Sequence, residues 1–187
     1  MMSQYLSDYW GTEKGFPGGP ISAFAQTPDG YLWIGTGKGL VRFDGLNFTK
    51  VEQAGSASFP IGPVRSLMAD VHGNLWILLQ STKVLRYRDG QFELSRGEAE
   101  NGITALGRQT GGAVLLSSLA LGALTYDGER FVSILPDQAG SSSGTADELS
   151  TRQSWSTGLA PHHVVFPNSA ATSMAETNDG TIWLGTE

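Results

Sequence analysis

Hydrophobic residues fall into short runs divided by turn formers, and the same order of runs returns along the chain. Residues 21–51 read ISAFAQ, TPDG, YLWIGT, GKG, LVRF, DG and LNFTKV. Apolar runs this short, bounded by Gly, Asp and Pro, predict strands rather than helices. The Asp-Gly steps supply the positive φ of tight hairpin turns, so the unit holds two hairpins and four strands. Residues 31–34 are apolar without alternation, as in a strand covered on both faces. Residues 40–43 alternate around Arg42, as in a strand nearer solvent.

The order recurs at residues 64–95 and 103–134 and begins again at 171. Aligned on the turn glycines Gly30, Gly73, Gly112 and Gly180, the position three further on is Trp33, Trp76, Leu115 and Trp183. Each full unit closes on Asp44-Gly45, Asp89-Gly90 or Asp127-Gly128, followed by Phe48, Phe92 or Phe131. The turn glycines stand 43, 39 and 68 residues apart. A four-stranded unit of about 40 residues is the period of a propeller blade. The expected fold is therefore all-β, a β-propeller fragment of about three and a half four-stranded antiparallel blades. It divides into a leader or closing segment (1–20), blade repeats at 21–51 and 64–95, a degenerate blade repeat at 103–134, an inserted loop (135–170) and a truncated repeat (171–187). The third unit is degenerate because its turn is Gly111-Gly112 and Leu115 replaces the tryptophan. Trp33, Trp76 and Trp183 are expected to wedge between neighbouring sheets.

Composition sharpens this picture. Of 187 residues 25 are glycine, and the turns account for much of that excess. The net charge of −6 comes without a run of basic residues, which argues against nucleic acid as a partner. The absence of cysteine removes disulfides and thiolate chemistry. The amino terminus lacks the charged and apolar regions of a signal peptide. The longest apolar stretch, residues 113–124, is broken by Ser117, Ser118 and Gly122 and falls short of the ~20 residues that span a bilayer. No membrane contact is expected of this segment.

Candidate chemistry is sparse. Gly35-Thr36-Gly37-Lys38-Gly39 has neither the Ser or Thr after lysine nor the following helix of a phosphate-binding loop. His72 stands in the turn slot that Asp29 and Asp179 hold in sibling units. Within the inserted loop, Trp155, His162 and His163 are the weak candidates for ligand contact, because imidazole can bind metal or move protons near neutrality. Adjacent histidines on an extended chain point to opposite sides, and a tolerated solvent loop is the competing reading. No catalytic residue, metal site or cofactor is assigned.

The stretches Thr27-Pro28-Asp29-Gly30-Tyr31-Leu32-Trp33-Ile34-Gly35-Thr36 and Gly39-Leu40-Val41-Arg42-Phe43-Asp44-Gly45 resemble the two-component regulator propeller repeat. Trp10-Gly11-Thr12 and Gly15-Phe16-Pro17 are similar to the leader that precedes a first repeat in that family. The signature positions are Gly30, Trp33, Gly35, Asp44, Gly45, Gly73, Trp76, Asp89, Gly90, Asp127, Gly128, Gly180, Trp183 and Gly185. Unit two departs at Leu78-Leu79, where unit one has Gly35-Thr36, and unit three loses both features. The resemblance implies a periplasmic or extracellular sensor propeller of a histidine kinase or diguanylate cyclase, the segment itself not an enzyme. It implies a small-molecule or glycan ligand, further blades of one parent chain as partners, and a parent that can be a homodimer. The alternatives are a propeller-fold enzyme of the streptogramin-lyase kind and a passive scaffold. Because a closed ring needs about four to eight blades, the segment is expected to be a fragment with open apolar faces that self-associates.

Overall fold

The structure, a computed structural model, describes residues 9–54, 59–95, 102–109, 112–118, 121–134, 154–157, 159–163, 171–176 and 182–186. After a single 3-10 turn, Thr12–Lys14, the described chain forms strands throughout. The first sheet takes β1 (Ile21–Gln26), β2 (Leu32–Thr36), β3 (Gly39–Phe43) and β4 (Phe48–Val51). A small pair, β5 (Gln53–Ala54) and β6 (Phe59–Pro60), leads to the second sheet. That sheet is β7 (Val64–Ala69), β8 (Leu75–Leu79), β9 (Val84–Arg88) and β10 (Gln91–Leu94). The third is β11 (Ile103–Arg108), β12 (Val114–Ser118), β13 (Gly122–Tyr126) and β14 (Phe131–Ser133). All three are antiparallel meanders with strands in chain order. Two further hairpins follow, β15 (Ser154–Thr157) with β16 (Leu159–His163), and β17 (Ala171–Glu176) with β18 (Ile182–Thr186).

Leu115 stands on a buried strand in register with its sibling tryptophans, so loss of the aromatic ring does not cost the unit its sheet. Gly180 and most of residues 135–170 lie outside the described residues.

Trp33 and Trp76 each reach out of their own sheet into the next one. Trp33 on β2 lies 4.8 Å, centroid to centroid, from Tyr87 on β9 and 6.3 Å from Phe92 on β10. Trp76 on β8 repeats this against Tyr126 at 4.8 Å and Phe131 at 5.3 Å. Both indoles are about 1% exposed. One core cluster joins Trp33 and Leu40 to Val64, Leu67, Leu75 and Ile77, and a second joins Trp76 and Leu78 to Ile103, Leu106, Leu116 and Phe131. The cores therefore lie between sheets, as blades stacked about an axis require.

The leader completes the same pattern at the other end. Trp10 sits 4.9 Å from Phe43 and 5.9 Å from Phe48, the positions matching Tyr87 and Phe92. It takes the place of a preceding blade's tryptophan. The inner part of that blade face has no such cover among the described residues: Ile21 and Phe24 are 48% and 57% exposed, whereas their counterparts Val64 and Leu67, and Ile103 and Leu106, are buried.

One feature of the inner strands has no sequence signature of its own. β1, β7, β11 and β17 share a register shift at the same place, between Ile21 and Ala23, Val64 and Ser66, Ile103 and Ala105, and Ala171 and Ser173. A bulge re-aims the extra residue and twists the strand. Ser22 Oγ donates to the Val64 carbonyl at 2.8 Å and Arg65 Nη1 to the Thr104 carbonyl at 3.3 Å. The bulged residues thus tie β1 to β7 and β7 to β11.

Gly35 permits close approach of the first two blades, because a Cβ there would stand 2.6 Å from Val64 Cγ1. Leu78 occupies the matching position in blade two and is fully buried, so β7 and β11 sit further apart than β1 and β7.

Two predictions follow from this packing. Trp76→Ala should destabilise the chain by about 3–5 kcal/mol in urea unfolding, against a smaller loss for Trp10→Ala at the half-exposed end. Replacing Ile21 and Phe24 together with serine should lower the associated fraction in sedimentation velocity; an unchanged distribution would remove that face as the cause of association.

Candidate functional site

The turn end of the sheets carries the polar chemistry. Trp33 Nε1 donates to Thr27 Oγ1 at 2.9 Å, and Trp76 Nε1 donates to Asp70 Oδ2 at 2.8 Å. A buried indole N–H needs such an acceptor, and the residue six positions earlier provides it. Asp70 does more than accept from the indole. Its Oδ1 accepts from the backbone N–H of His72 and of Asn74, both at 2.9 Å, and Oδ2 also accepts from Asn74 Nδ2 at 2.6 Å. Burial pushes this carboxyl up, but the bonds from Asn74, Trp76 and the backbone outweigh it and hold the pKa below the usual value. Thr27 and Asp70 were not singled out by sequence reading. The available signal was their spacing: Thr27, Asp70 and Thr177 each stand six residues before a tryptophan, whereas Gln109 stands six before Leu115.

Next to this network the first two blades diverge. In blade one Tyr31 fills the space beside the turn, with the Arg42 guanidinium 4.3 Å over its ring. In blade two Asn74 takes the place of Tyr31 and Arg86 that of Arg42, both pairs fixed by register with the tryptophans. Arg86 instead crosses to blade three, donating from Nη1 to Tyr126 Oη at 2.6 Å and pairing with Glu93. A cleft of about 360 Å³ remains between the blades, lined by Asp70, His72, Asn74, Arg86, Arg88 and, across from them, Tyr126 and Asp127. Its floor is the Gly112 turn, where a Cβ would stand 2.2 Å from Val71 Cγ1 and where φ is +92°.

The second turns divide into two kinds. Asp44 and Asp127 cap four-residue loops through Oδ1, which accepts from the N–H groups of Leu46 and Asn47, and of Glu129 and Arg130. Those backbone bonds, the bond to Asn47 first for Asp44 and to Arg130 first for Asp127, lower both carboxyl pKa values. Asp89-Gly90 is a two-residue turn with φ of +50° and +81°, so blade two has Arg88 where its siblings have the capping aspartate.

Of the positions singled out in the sequence, Gly30, Gly45, Gly73, Gly90 and Gly128 adopt positive φ at turns. Trp155 and His162 are directly opposed partners of β15 and β16, and His163 opposes Ser154. On β18, Trp183 opposes Ala175 and Gly185 opposes Ser173, the pairing that Trp33 and Gly35 make with Ala25 and Ala23. His72 lies in the turn and on the cleft wall. Among the described residues no group of three or more His, Cys, Asp or Glu is placed to hold a metal, and no helix is long and apolar enough to cross a membrane.

Residues 15–38 and 166–187 match the family model described as two component regulator propeller. Among solved structures it is similar to the extracellular domain of BT4673 from B. thetaiotaomicron, described as a one component system, with 19% identity and a TM-score of 0.63 over 99% of this chain and 23% of that one. It is also similar to the extracellular domain of BT3049 from the same organism, described as a hybrid two component system, with 19% identity and a TM-score of 0.61 over 98% of this chain and 30% of that one. Virginiamycin B lyase from Staphylococcus aureus shares 12% identity and a TM-score of 0.55, over 92% of this chain and 50% of that one. None of the curated proteins matches the sequence. The fold is thus a β-propeller like the extracellular domains of two-component systems, and the chain spans less than a third of the first two relatives.

Asp70 gives a prediction with a definite sign. Because its folded pKa is depressed, its stabilisation is present above the unfolded value near 3.9 and is lost as pH falls through the folded value. Asp70→Asn should flatten the fall in melting temperature between about pH 5 and 2 relative to the parent. Asp70→Ala, which leaves buried donors unpaired, should cost about 1–3 kcal/mol at pH 7 in urea unfolding.

Proposed function

We propose that this chain is a ligand-sensing segment of an extracytoplasmic β-propeller in a bacterial two-component signalling protein. It passes ligand occupancy to a cytoplasmic output domain, a histidine kinase or diguanylate cyclase, in a parent that acts as a homodimer. The observation that carries this reading is the two-component regulator propeller match on residues 15–38 and 166–187. The blade architecture supplies a physical route: cores shared between sheets couple each blade to the next. A ligand bound across two blades shifts their relative position only by the difference in its affinity for the two arrangements. The segment itself performs no chemistry in this reading.

The propeller of virginiamycin B lyase keeps a second reading open, that of a propeller enzyme, on likeness of fold alone. The two readings differ in what the gene encodes beyond the propeller. The sensor reading expects a membrane span followed by kinase or cyclase motifs; a closed propeller without a span sinks it. In membranes holding the whole protein, deleting the propeller should leave the output activity present but unresponsive to the periplasmic signal, measured as phosphoryl transfer or cyclic dinucleotide formation.

A further inference from the structure

Blade two differs from blade one at three polar positions, and all three face the same cleft. Asn74 replaces Tyr31, Arg88 replaces the loop-capping Asp44 and Asp127, and His72 replaces Asp29. Each substitution takes away something that blade one uses for its own structure. Tyr31 fills space and carries Arg42; Asp44 ties down its loop; Asp29 accepts from the N–H of Tyr31 and from Thr27 Oγ1. In blade three Ala113 stands opposite, a small residue on the far wall. Scattered drift has no reason to fall on one wall of one cavity. Leu78 adds to the effect from within, holding the inner strands of blades two and three apart where a glycine brings blades one and two together.

The lining has the character of a site for a small dipolar molecule. The cleft volume of about 360 Å³ falls at the lower end of ligand pockets, which run from about 300 to 1,000 Å³. Two guanidinium groups, Arg86 and Arg88, meet two carboxylates, Asp70 and Asp127, around it. Arg86 is mostly buried and held by Tyr126 and Glu93, so its planar donor set is fixed in direction. Arg88 is exposed and, among the described residues, pairs with the exposed Asp89, a contact that a ligand carboxylate can replace at little cost. Asp70 spends its oxygens on four bonds, while Asp127 leaves Oδ2 facing only Arg130 at 3.9 Å. Asn74 Oδ1 is buried and has no donor among the described residues. Buried acceptors are normally satisfied, and Asn74 is one of the residues that line the cleft.

We infer that the cleft between blades two and three binds a free α-amino acid, its carboxylate on Arg86 and Arg88 and its ammonium toward Asp127. The inference rests on the sensor reading for its biological use and deepens it by naming a site and a ligand class. Blade one provides the test. Asn74→Tyr installs the residue that fills the matching space beside Arg42, and Arg88→Glu reverses an exposed charge that no core contact depends on.

The purified chain is titrated with each of the twenty standard L-amino acids in turn by isothermal titration calorimetry. At least one should bind saturably, and its carboxamide and its N-acetyl derivative should each bind at least about tenfold more weakly. Asn74→Tyr and Arg88→Glu should each weaken it by a similar factor, with the melting temperature of Arg88→Glu unchanged. Heat from none of the twenty at 10 mM overturns the site, as does equal binding by Arg88→Glu. Equal binding of the N-acetyl derivative reduces the cleft to an anion site and overturns the ligand class. Failure here is separable from failure of the sensor reading: if whole protein carrying Asn74→Tyr and Arg88→Glu still answers its periplasmic signal, the cleft is not the sensory site and the sensor stands.

Discussion

The packing of one blade's tryptophan against the third and fourth strands of the next is the contact on which the rest of this structure depends. A single twisted four-stranded sheet cannot bury both of its faces. Trp33 and Trp76 solve that by giving each sheet the core its neighbour lacks, so a blade's stability is largely a property of the pair. The contact also fixes geometry. Because the indole meets Tyr87 or Tyr126 and Phe92 or Phe131 at nearly repeated distances, each step between blades is set by the same ring contacts. Trp10 extends the rule to the leader, which is why a segment outside any blade still lies ordered against Phe43 and Phe48.

A tryptophan in that position brings an obligation with it. Its N–H is buried, and the acceptor must come from the turn that precedes its strand. Thr27 meets the need with a hydroxyl and Asp70 with a carboxylate. The choice matters, since a carboxylate can also organise the backbone N–H groups of its turn while a hydroxyl leaves that task to Asp29. Once Asp70 holds the turn by itself, the slot of Asp29 is released and His72 can occupy it. Variation at the surface of blade two therefore has its origin in the core.

The period, the strand order and the wedge role of the tryptophans were all legible in the sequence, because each rests on a residue that only one environment explains. Asp-Gly steps read as turns, and an uninterrupted apolar run beside them reads as a strand covered on both faces. The shared bulge of β1, β7, β11 and β17 was not legible: the extra residue is a hydroxyl in Ser22 and Thr104 but a guanidinium in Arg65, and the shift shows only in the strand pairing. The second turns looked alike as Asp-Gly pairs, yet they fall one residue out of step in blade two, which only the strand pairing reveals. The cleft was hidden for a related reason. Of its lining the sequence singled out the turn residues His72, Gly112, Asp127 and Gly128, and their common location with Asn74, Arg88 and Ala113 appears only when they are placed against one another across two blades.

Repetition itself separates structural from functional variation here. Loss of the tryptophan at Leu115 is compensated by burial of an aliphatic side chain on the same strand, and the third sheet keeps its four strands. Such a change leaves the strand buried. The changes at Asn74 and Arg88 are of another kind: the first leaves a buried acceptor without a donor among the described residues, and the second replaces a loop cap with an exposed cation. A blade that gives up two local contacts at one wall while its tryptophan still packs on the next blade has been relieved of a structural constraint at that wall. In a propeller, where the sibling blades state what the fold requires, that is the physical signature of a surface shaped for something other than folding.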